Sequence, residues 1–217
     1  MIKGIIFDMD GLLIDTEKIL TRMWCKAAAE YGFDMRMEHA LQIRSLAAKY
    51  ASPLLKEIVH PDFDYYTIRK RRIELMNEYI EQNGFDVKPG IHELLDYLDT
   101  TGLLKAVATA TDTERTGRYL NRIGIYDRFD RIICGNMVEN GKPQPDIYLK
   151  AAQMLGLNAE ECFAVEDSPN GITAAYRAGC KPLMIPDLDK PDEHIRSMLF
   201  ACVDSLDKLI PIIEQNI

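Results

Sequence analysis

Residues 4–17 of the chain are Gly-Ile-Ile-Phe-Asp-Met-Asp-Gly-Leu-Leu-Ile-Asp-Thr-Glu, and this stretch decides the fold. The apolar run Gly4–Phe7 is typical of a short buried strand, and two aspartates follow where it ends. In extended backbone, residues i and i+2 project to the same side, so Asp8 and Asp10 are predicted to face one space, while Gly11 lets the chain turn away. A simple turn is the alternative, because Asp and Gly are common in turns.

Two carboxylates that share one space favour a particular chemistry. Because like charges repel, the pKa of one of them rises above its usual range. One carboxylate can then stay ionised as a nucleophile or metal ligand, while the other carries a proton near neutral pH. The pair Asp8 and Asp10 therefore predicts a catalytic site at the end of the first strand.

Four more short apolar runs follow, each ahead of polar or turn residues, and they predict further buried strands. They are Leu103–Ala108, Arg131–Cys134, Cys162–Val165 and Pro182–Ile185. Between the later runs, apolar residues recur at the i, i+3, i+4 spacing of amphipathic helices. This alternation predicts an α/β fold, with a doubly wound, Rossmann-like parallel sheet that binds ligands at the carboxyl ends of its strands.

Residues 15–86 interrupt this alternation, because they contain only helical patterns. Apolar stripes predict helices over Lys18–Tyr31, ending at Gly32, and over Tyr66–Gln82, ending before Gly84. We therefore expect an all-helical cap domain over residues 15–86, inserted into an α/β core domain formed by residues 1–14 and 87–217.

A second acidic pair, Glu166-Asp167, stands where another apolar run ends and a helix begins. If it joins Asp8 and Asp10 in one pocket, four carboxylates need a cation to hold them together. Ligands that are all oxygens suit Mg²⁺, which binds through a few carboxylates and phosphate and keeps some of its waters. The alternative is that Asp167 or Ser168 only caps the following helix.

Two further segments offer groups that bind phosphate. Thr109 and Ala110 follow a predicted strand, where a hydroxyl and free backbone N–H groups are exposed to a ligand. Lys142 stands in the sequence Gly-Lys-Pro-Gln-Pro-Asp, where the two prolines restrict the backbone. Each signal is weak alone, but together and in this order they predict a phosphate site.

The segments Asp8-Met9-Asp10-Gly11, Thr109, Lys142 and Glu166-Asp167 resemble, in order, the four motifs of the haloacid dehalogenase superfamily of phosphotransferases. Residues 11–17, the Gly-Lys-Pro-x-Pro-Asp-x-Tyr segment and Glu-Asp-Ser-Pro-Asn-Gly resemble more narrowly its beta-phosphoglucomutase-like branch. The resemblance covers the whole core and the position of the cap.

The resemblance implies a role for each matching residue. Asp8 would attack phosphorus and form an aspartyl-phosphate, while Asp10 would protonate the leaving oxygen and then deprotonate water. Four groups would hold Mg²⁺: the Asp8 side chain, the Asp10 backbone carbonyl, Glu166 and Asp167. Three would bind the phosphoryl oxygens: Thr109, the Ala110 amide and Lys142.

The resemblance also favours one outcome for the phosphoenzyme. The name-giving mutase of the branch has a histidine four residues beyond the threonine that matches Thr16, and this chain has Leu20 there. A mutase must keep water away from its aspartyl-phosphate, so the missing polar residue favours a phosphatase for a small phosphorylated metabolite of the sugar or polyol type. A sugar phosphate mutase and a catalytically silent binding domain are the alternatives.

Closure of a cap over such a site would select the substrate, and Glu17 and Arg44 are the candidate cap contacts. The net charge of −8 argues against nucleic acid or anionic membranes as partners.

The five cysteines are scattered, so they indicate neither a disulfide framework nor a zinc site. The N-terminal apolar run is too short for a signal peptide, and we expect a cytoplasmic monomer.

Overall fold

The structure, a computed structural model, describes all residues from Met1 to Ile217. The chain divides into two compact units. One comprises Met1–Ile14 with Val87–Ile217, and the other comprises Asp15–Asp86.

The first unit is built on a six-stranded parallel sheet with the strand order β3-β2-β1-β4-β5-β6. The strands are β1 Gly4–Phe7, β2 Leu104–Thr109, β3 Arg131–Cys134, β4 Cys162–Glu166, β5 Lys181–Met184 and β6 Ala201–Cys202. The predicted α/β fold with a Rossmann-like parallel sheet is therefore confirmed. Strand β6 was not predicted, because a strand of two residues gives no apolar run.

The second unit is helical. Its helices are α1 Glu17–Glu30, α2 Met37–Gln42, α3 Ala48–Ile58 and α4 Tyr65–Asn83. Helices α1 and α4 pack together, with the Trp24 and Tyr65 ring centroids 5.5 Å apart. Asp64 caps α4 by accepting a hydrogen bond from the Thr67 N–H at 3.2 Å. The predicted bounds of α1 and α4 differ from the observed ones by one residue at each end.

The remaining helices belong to the first unit: α5 Ile91–Leu98, α6 Thr113–Arg122, α7 Asp146–Leu155, α8 Pro169–Ala178, α9 Glu193–Met198 and α10 Ile210–Glu214. Helices α7 and α8 form one buried cluster with strand residues that include Ile6, Ala106 and Ala164. Alanines on α8 allow close packing in this cluster. None of the ten helices combines the length and the apolar character needed to cross a membrane.

Strand β1 lies in the middle of the sheet, between β2 and β4. All four of its residues are buried, as expected for a parallel strand covered on both faces. Phe7 pairs with Val107 on one side and Val165 on the other, so the carboxyl ends of the three strands lie side by side. Successive strands are added on one side of β1 as far as β3, and on its other side from β4 onward. The strand order therefore switches sides between β1 and β4, and folds of this type bind ligands at such a point.

Candidate active site

The tight loop after β1 sets the positions of both aspartates. The Met9 carbonyl oxygen accepts a hydrogen bond from the Leu13 N–H at 2.9 Å, and the Gly11 N–H donates to the Ile14 oxygen at 2.8 Å. Gly11 has φ +86°, in the left-handed region that glycine adopts without steric cost. The loop therefore begins at the two aspartates and turns the chain back immediately after them.

Lys142 lies at the centre of the site. Its Nζ is 2.5 Å from Asp8 Oδ1 and 2.5 Å from Glu166 Oε1, and the side chain is fully buried. Burial opposes the charge of Lys142, but the two carboxylates outweigh it and raise the pKa of the ammonium above its usual value. Lys142 therefore stays protonated and compensates part of the negative charge around it.

Burial raises the pKa of the Asp8 carboxyl from 3.8 to about 7. Lys142 opposes this rise, and the charges of Glu166 and Asp10 add to it. The sequence predicted a raised pKa within the aspartate pair and attributed it to repulsion between the two carboxylates. In the structure, desolvation of the buried Asp8 side chain is the larger cause.

Glu166, the last residue of β4, is held by five hydrogen-bond donors. Oε1 accepts from Lys142 Nζ at 2.5 Å and from the Tyr148 hydroxyl at 2.6 Å. Oε2 accepts from the Asp167 N–H at 3.2 Å, from the Ser168 N–H at 3.4 Å and from the Ser168 hydroxyl at 3.1 Å. The orientation of this carboxylate is consequently fixed by Lys142, by Tyr148 and by the two residues that follow it in the chain.

The N-terminal end of helix α8 lies against the Glu166 carboxylate. Ser168 is its N-cap residue and accepts a hydrogen bond from the Gly171 N–H at 3.1 Å, but it does more than cap the helix, because its hydroxyl also donates to Glu166. A Cβ atom at Gly171 would lie 1.9 Å from the carboxyl carbon of Glu166. Only glycine at this position allows the carboxylate to lie against the first turn of the helix.

Asp10 is held from the side of β2. The Thr111 hydroxyl donates to Asp10 Oδ2 at 2.8 Å, and the Thr109 hydroxyl is 3.4 Å from the same oxygen. The Thr111 N–H in turn donates to Thr109 Oγ1 at 3.1 Å. Thr109 thus lies next to the aspartate pair, while Ala110 directly follows β2 and is exposed.

Three residues of this arrangement were not predicted as site residues: Thr111, Tyr148 and Ser168. Thr111 lies two residues beyond Thr109, and the same spacing rule that paired the aspartates could have identified it. Tyr148 belongs to the Gly-Lys-Pro-x-Pro-Asp-x-Tyr segment, but its place on a helix gave no sign that its hydroxyl reaches Glu166. The candidate cap contacts Glu17 and Arg44 lie in the helical unit, where both are buried.

The acidic residues fit a divalent cation. Asp8, Glu166 and Asp167 are buried, and each offers a carboxylate oxygen within 4.8 Å of the others. One lysine compensates only part of their charge, and the donor set contains oxygen alone. Hard divalent ions prefer such a set.

Comparisons with known proteins agree with this geometry. A family described as haloacid dehalogenase-like hydrolase matches residues 5–185. The chain is 30% identical over 181 residues to a phosphorylated carbohydrates phosphatase of Thermotoga maritima, covering 82% of each protein. It is 30% identical over 206 residues to hexitol phosphatase A of Escherichia coli, covering 90% of this chain and 91% of that protein.

A solved structure shows the same architecture. The crystal structure of beta-phosphoglucomutase from Clostridium difficile matches all of this chain and 97% of its own, with a TM-score of 0.82 and 25% sequence identity. The similarity extends over both compact units, because it leaves no part of this chain uncovered.

Proposed function

This chain belongs to the haloacid dehalogenase-like hydrolases, in their beta-phosphoglucomutase-like branch, and from that premise we propose that it is a magnesium-dependent phosphatase for a small phosphorylated sugar or polyol. Its relatives support the broader class of phosphoric monoester hydrolase. One observation supports the proposal most strongly. Asp8 lies within 2.5 Å of a buried ammonium and next to two further carboxylates, which is the arrangement that a phosphate-attacking group needs.

In the proposed reaction, a carboxylate oxygen of Asp8 attacks phosphorus and the bond from phosphorus to the ester oxygen breaks. Asp10 gives its proton to the leaving oxygen, so that an alcohol departs and an aspartyl-phosphate remains. Asp10 then takes a proton from water, and the water oxygen attacks phosphorus. The bond from phosphorus to Asp8 breaks, which releases inorganic phosphate and restores both aspartates.

The other predicted residues supply charge and hydrogen bonds to the phosphoryl group. Lys142 would offset the negative charge of the phosphoryl oxygens while Asp8 attacks. The Thr109 hydroxyl and the Ala110 amide would donate hydrogen bonds to the same oxygens. Thr111 would hold Asp10 in place, since its hydroxyl lies 2.8 Å from Asp10 Oδ2.

Mg²⁺ is the proposed cofactor. Asp8, Glu166, Asp167 and the backbone carbonyl of Asp10 would hold it, with Glu166 Oε2 exchanging one of its hydrogen-bond donors for the ion. When bound, it would supply the positive charge that lets a phosphate dianion lie next to buried carboxylates.

A sugar phosphate mutase remains the second candidate, because the similar solved structure is a beta-phosphoglucomutase. Leu20, on α1, favours the phosphatase, since leucine has no polar group with which to control the entry of water. The two candidates differ in their dependence on a bisphosphate primer. A phosphatase releases phosphate without primer, whereas a mutase forms its product only when primer is present.

The test is a panel of sugar and polyol phosphomonoesters, measured as kcat/KM with and without Mg²⁺ and with and without primer. We expect magnesium-dependent phosphate release without primer, and loss of at least about 10³-fold in the Asp8→Asn variant. Full activity of Asp8→Asn would refute the covalent mechanism. Product formation that requires primer, without net phosphate release, would support the mutase instead.

A further inference from the structure

Tyr148 is a buried tyrosine that the proposed reaction does not use. It lies on α7 within the cluster that α7 and α8 form on the sheet, and its side chain is fully buried. Its hydroxyl is 2.6 Å from Glu166 Oε1, and the centre of its ring is 5.4 Å from Lys142 Nζ. Tyr148 thus contacts both members of the Lys142–Glu166 ion pair.

Packing alone does not explain the hydroxyl. A phenylalanine would fill the same space without burying a polar group that needs a partner. The hydroxyl instead donates to the very oxygen that accepts from Lys142, so Glu166 Oε1 has two donors on its two lone pairs. A tyrosine hydroxyl is neutral near pH 7 and can therefore donate to this oxygen.

The contacts form a chain that ends at the attacking group. Tyr148 orients Glu166, Glu166 holds one side of the Lys142 ammonium, and Lys142 contacts Asp8 Oδ1 at 2.5 Å. The ring face of Tyr148 offers the ammonium a second favourable contact. The location of the positive charge beside Asp8 therefore depends on a residue that does not touch Asp8.

We propose that Tyr148 is a positioning residue, which fixes the Lys142 ammonium against Asp8 by donating its hydroxyl hydrogen to Glu166. This inference rests on the proposed phosphatase function and adds to it a residue that acts through two others. If Tyr148 acts in this way, removing its hydroxyl should affect catalysis only when residue 166 can accept a hydrogen bond from that hydroxyl.

The Tyr148→Phe variant removes the hydroxyl and keeps the ring. We expect kcat to fall about tenfold, because a hydrogen bond to a charged group is lost and Lys142 is held less firmly. Binding of inorganic phosphate in the presence of Mg²⁺, measured by calorimetry, should weaken three- to tenfold, and this second measurement needs no turnover.

Two comparisons separate positioning from general structural support. Tyr119→Phe is the matched control, because it removes another buried tyrosine hydroxyl from the same unit, on α6. A double-mutant cycle with Glu166→Leu, whose side chain cannot accept a hydrogen bond, then tests the route of the effect. In the Glu166→Leu background, adding Tyr148→Phe should change phosphate affinity less than twofold.

The inference fails if wild type releases phosphate and Tyr148→Phe equals Tyr119→Phe in both kcat and phosphate affinity. It also fails if the loss caused by Tyr148→Phe is just as large in the Glu166→Leu background. Because wild-type turnover is measured in the same series, these outcomes are distinct from failure of the proposed function, in which wild type itself would release no phosphate.

Discussion

At the scale of single residues, the main feature of the site is that several charged side chains are buried close together. Asp8, Glu166 and Asp167 are enclosed by protein, and the Lys142 ammonium lies between the first two. Burying charges is costly unless opposite charges and hydrogen bonds compensate them. The side chains of this site should therefore respond strongly to proton concentration, to divalent cations and to loss of a partner.

The first prediction concerns Asp8 and pH. Its pKa is raised from 3.8 to about 7, so between these values the folded protein binds a proton that the unfolded chain has lost. The free energy of unfolding of the metal-free protein should fall as pH rises through this window. Mg²⁺ needs the ionised carboxylate, so its affinity should rise over the same window, by at most about tenfold per pH unit, and level off above pH 7.

Calorimetric titration of Mg²⁺ from pH 5 to 8 measures this effect. Asp8→Asn is the control, because it has no carboxyl to titrate at this position and its Mg²⁺ affinity should depend less on pH. If wild type and Asp8→Asn show the same pH dependence, Asp8 does not have the raised pKa.

The second prediction concerns Lys142→Met, which removes the cation between Asp8 and Glu166. Breaking a buried ion pair should lower the free energy of unfolding by about 3–5 kcal/mol. Added Mg²⁺ should recover part of this loss, because it supplies positive charge to the same carboxylates. Denaturant unfolding with and without Mg²⁺ measures both effects.

Lys3→Met is the control for Lys142→Met. Lys3 also has a carboxylate partner at 2.5 Å, Glu161, but this pair is exposed. Its loss should lower the free energy of unfolding far less, because water screens an exposed pair. Equal destabilisation by the two variants would contradict the account of Lys142 as a buried countercharge.

At the scale of secondary-structure elements, strand ends and helix starts bring the site together. Strands β1, β2 and β4 end side by side, and the first turn of α8 lies against the Glu166 carboxyl. The apolar runs predicted β1 and β3 with their observed bounds, because the buried parts of parallel strands are apolar. They could not predict β6, nor the Tyr148 contact, which depends on how α7 packs against the sheet.

The third prediction compares two helical glycines. Gly171→Ala should displace Glu166, because the new Cβ would lie 1.9 Å from its carboxyl carbon. We expect loss of at least about tenfold in kcat and about 1–3 kcal/mol in the free energy of unfolding. Gly117→Ala on α6 is the control, since its Cβ would meet only Tyr126 at 3.9 Å.

Gly117→Ala should stabilise the protein by about 0.4–1 kcal/mol, because alanine restricts the unfolded chain and favours the helix. Thermal unfolding and steady-state kinetics of both variants measure the contrast. Wild-type activity in Gly171→Ala would show that the close approach of α8 is not needed to orient Glu166.

At the scale of the whole molecule, the order of patterns along the sequence was enough to predict the fold. One strand, a long helical stretch and then alternating strands and helices predict a parallel sheet with an insertion. The observed elements follow one another along the chain in this order, and the sheet is parallel. Order along the chain does not reveal which side chains meet. Thr111 and Asp10 are far apart in sequence, and only the pairing of β1 with β2 brings them within 2.8 Å.

The central claim is that Asp8 carries the phosphoryl group during turnover. The most direct test uses Asp10→Asn with p-nitrophenyl phosphate, whose leaving group departs without a proton, and follows the intact mass of the acid-quenched chain. We predict that Asp10→Asn accumulates one phosphoryl group, because no base is left to activate water, and that the double variant with Asp8→Asn gains none. Turnover by Asp10→Asn without any phosphorylated chain, or phosphorylation that persists after Asp8→Asn, would contradict the account.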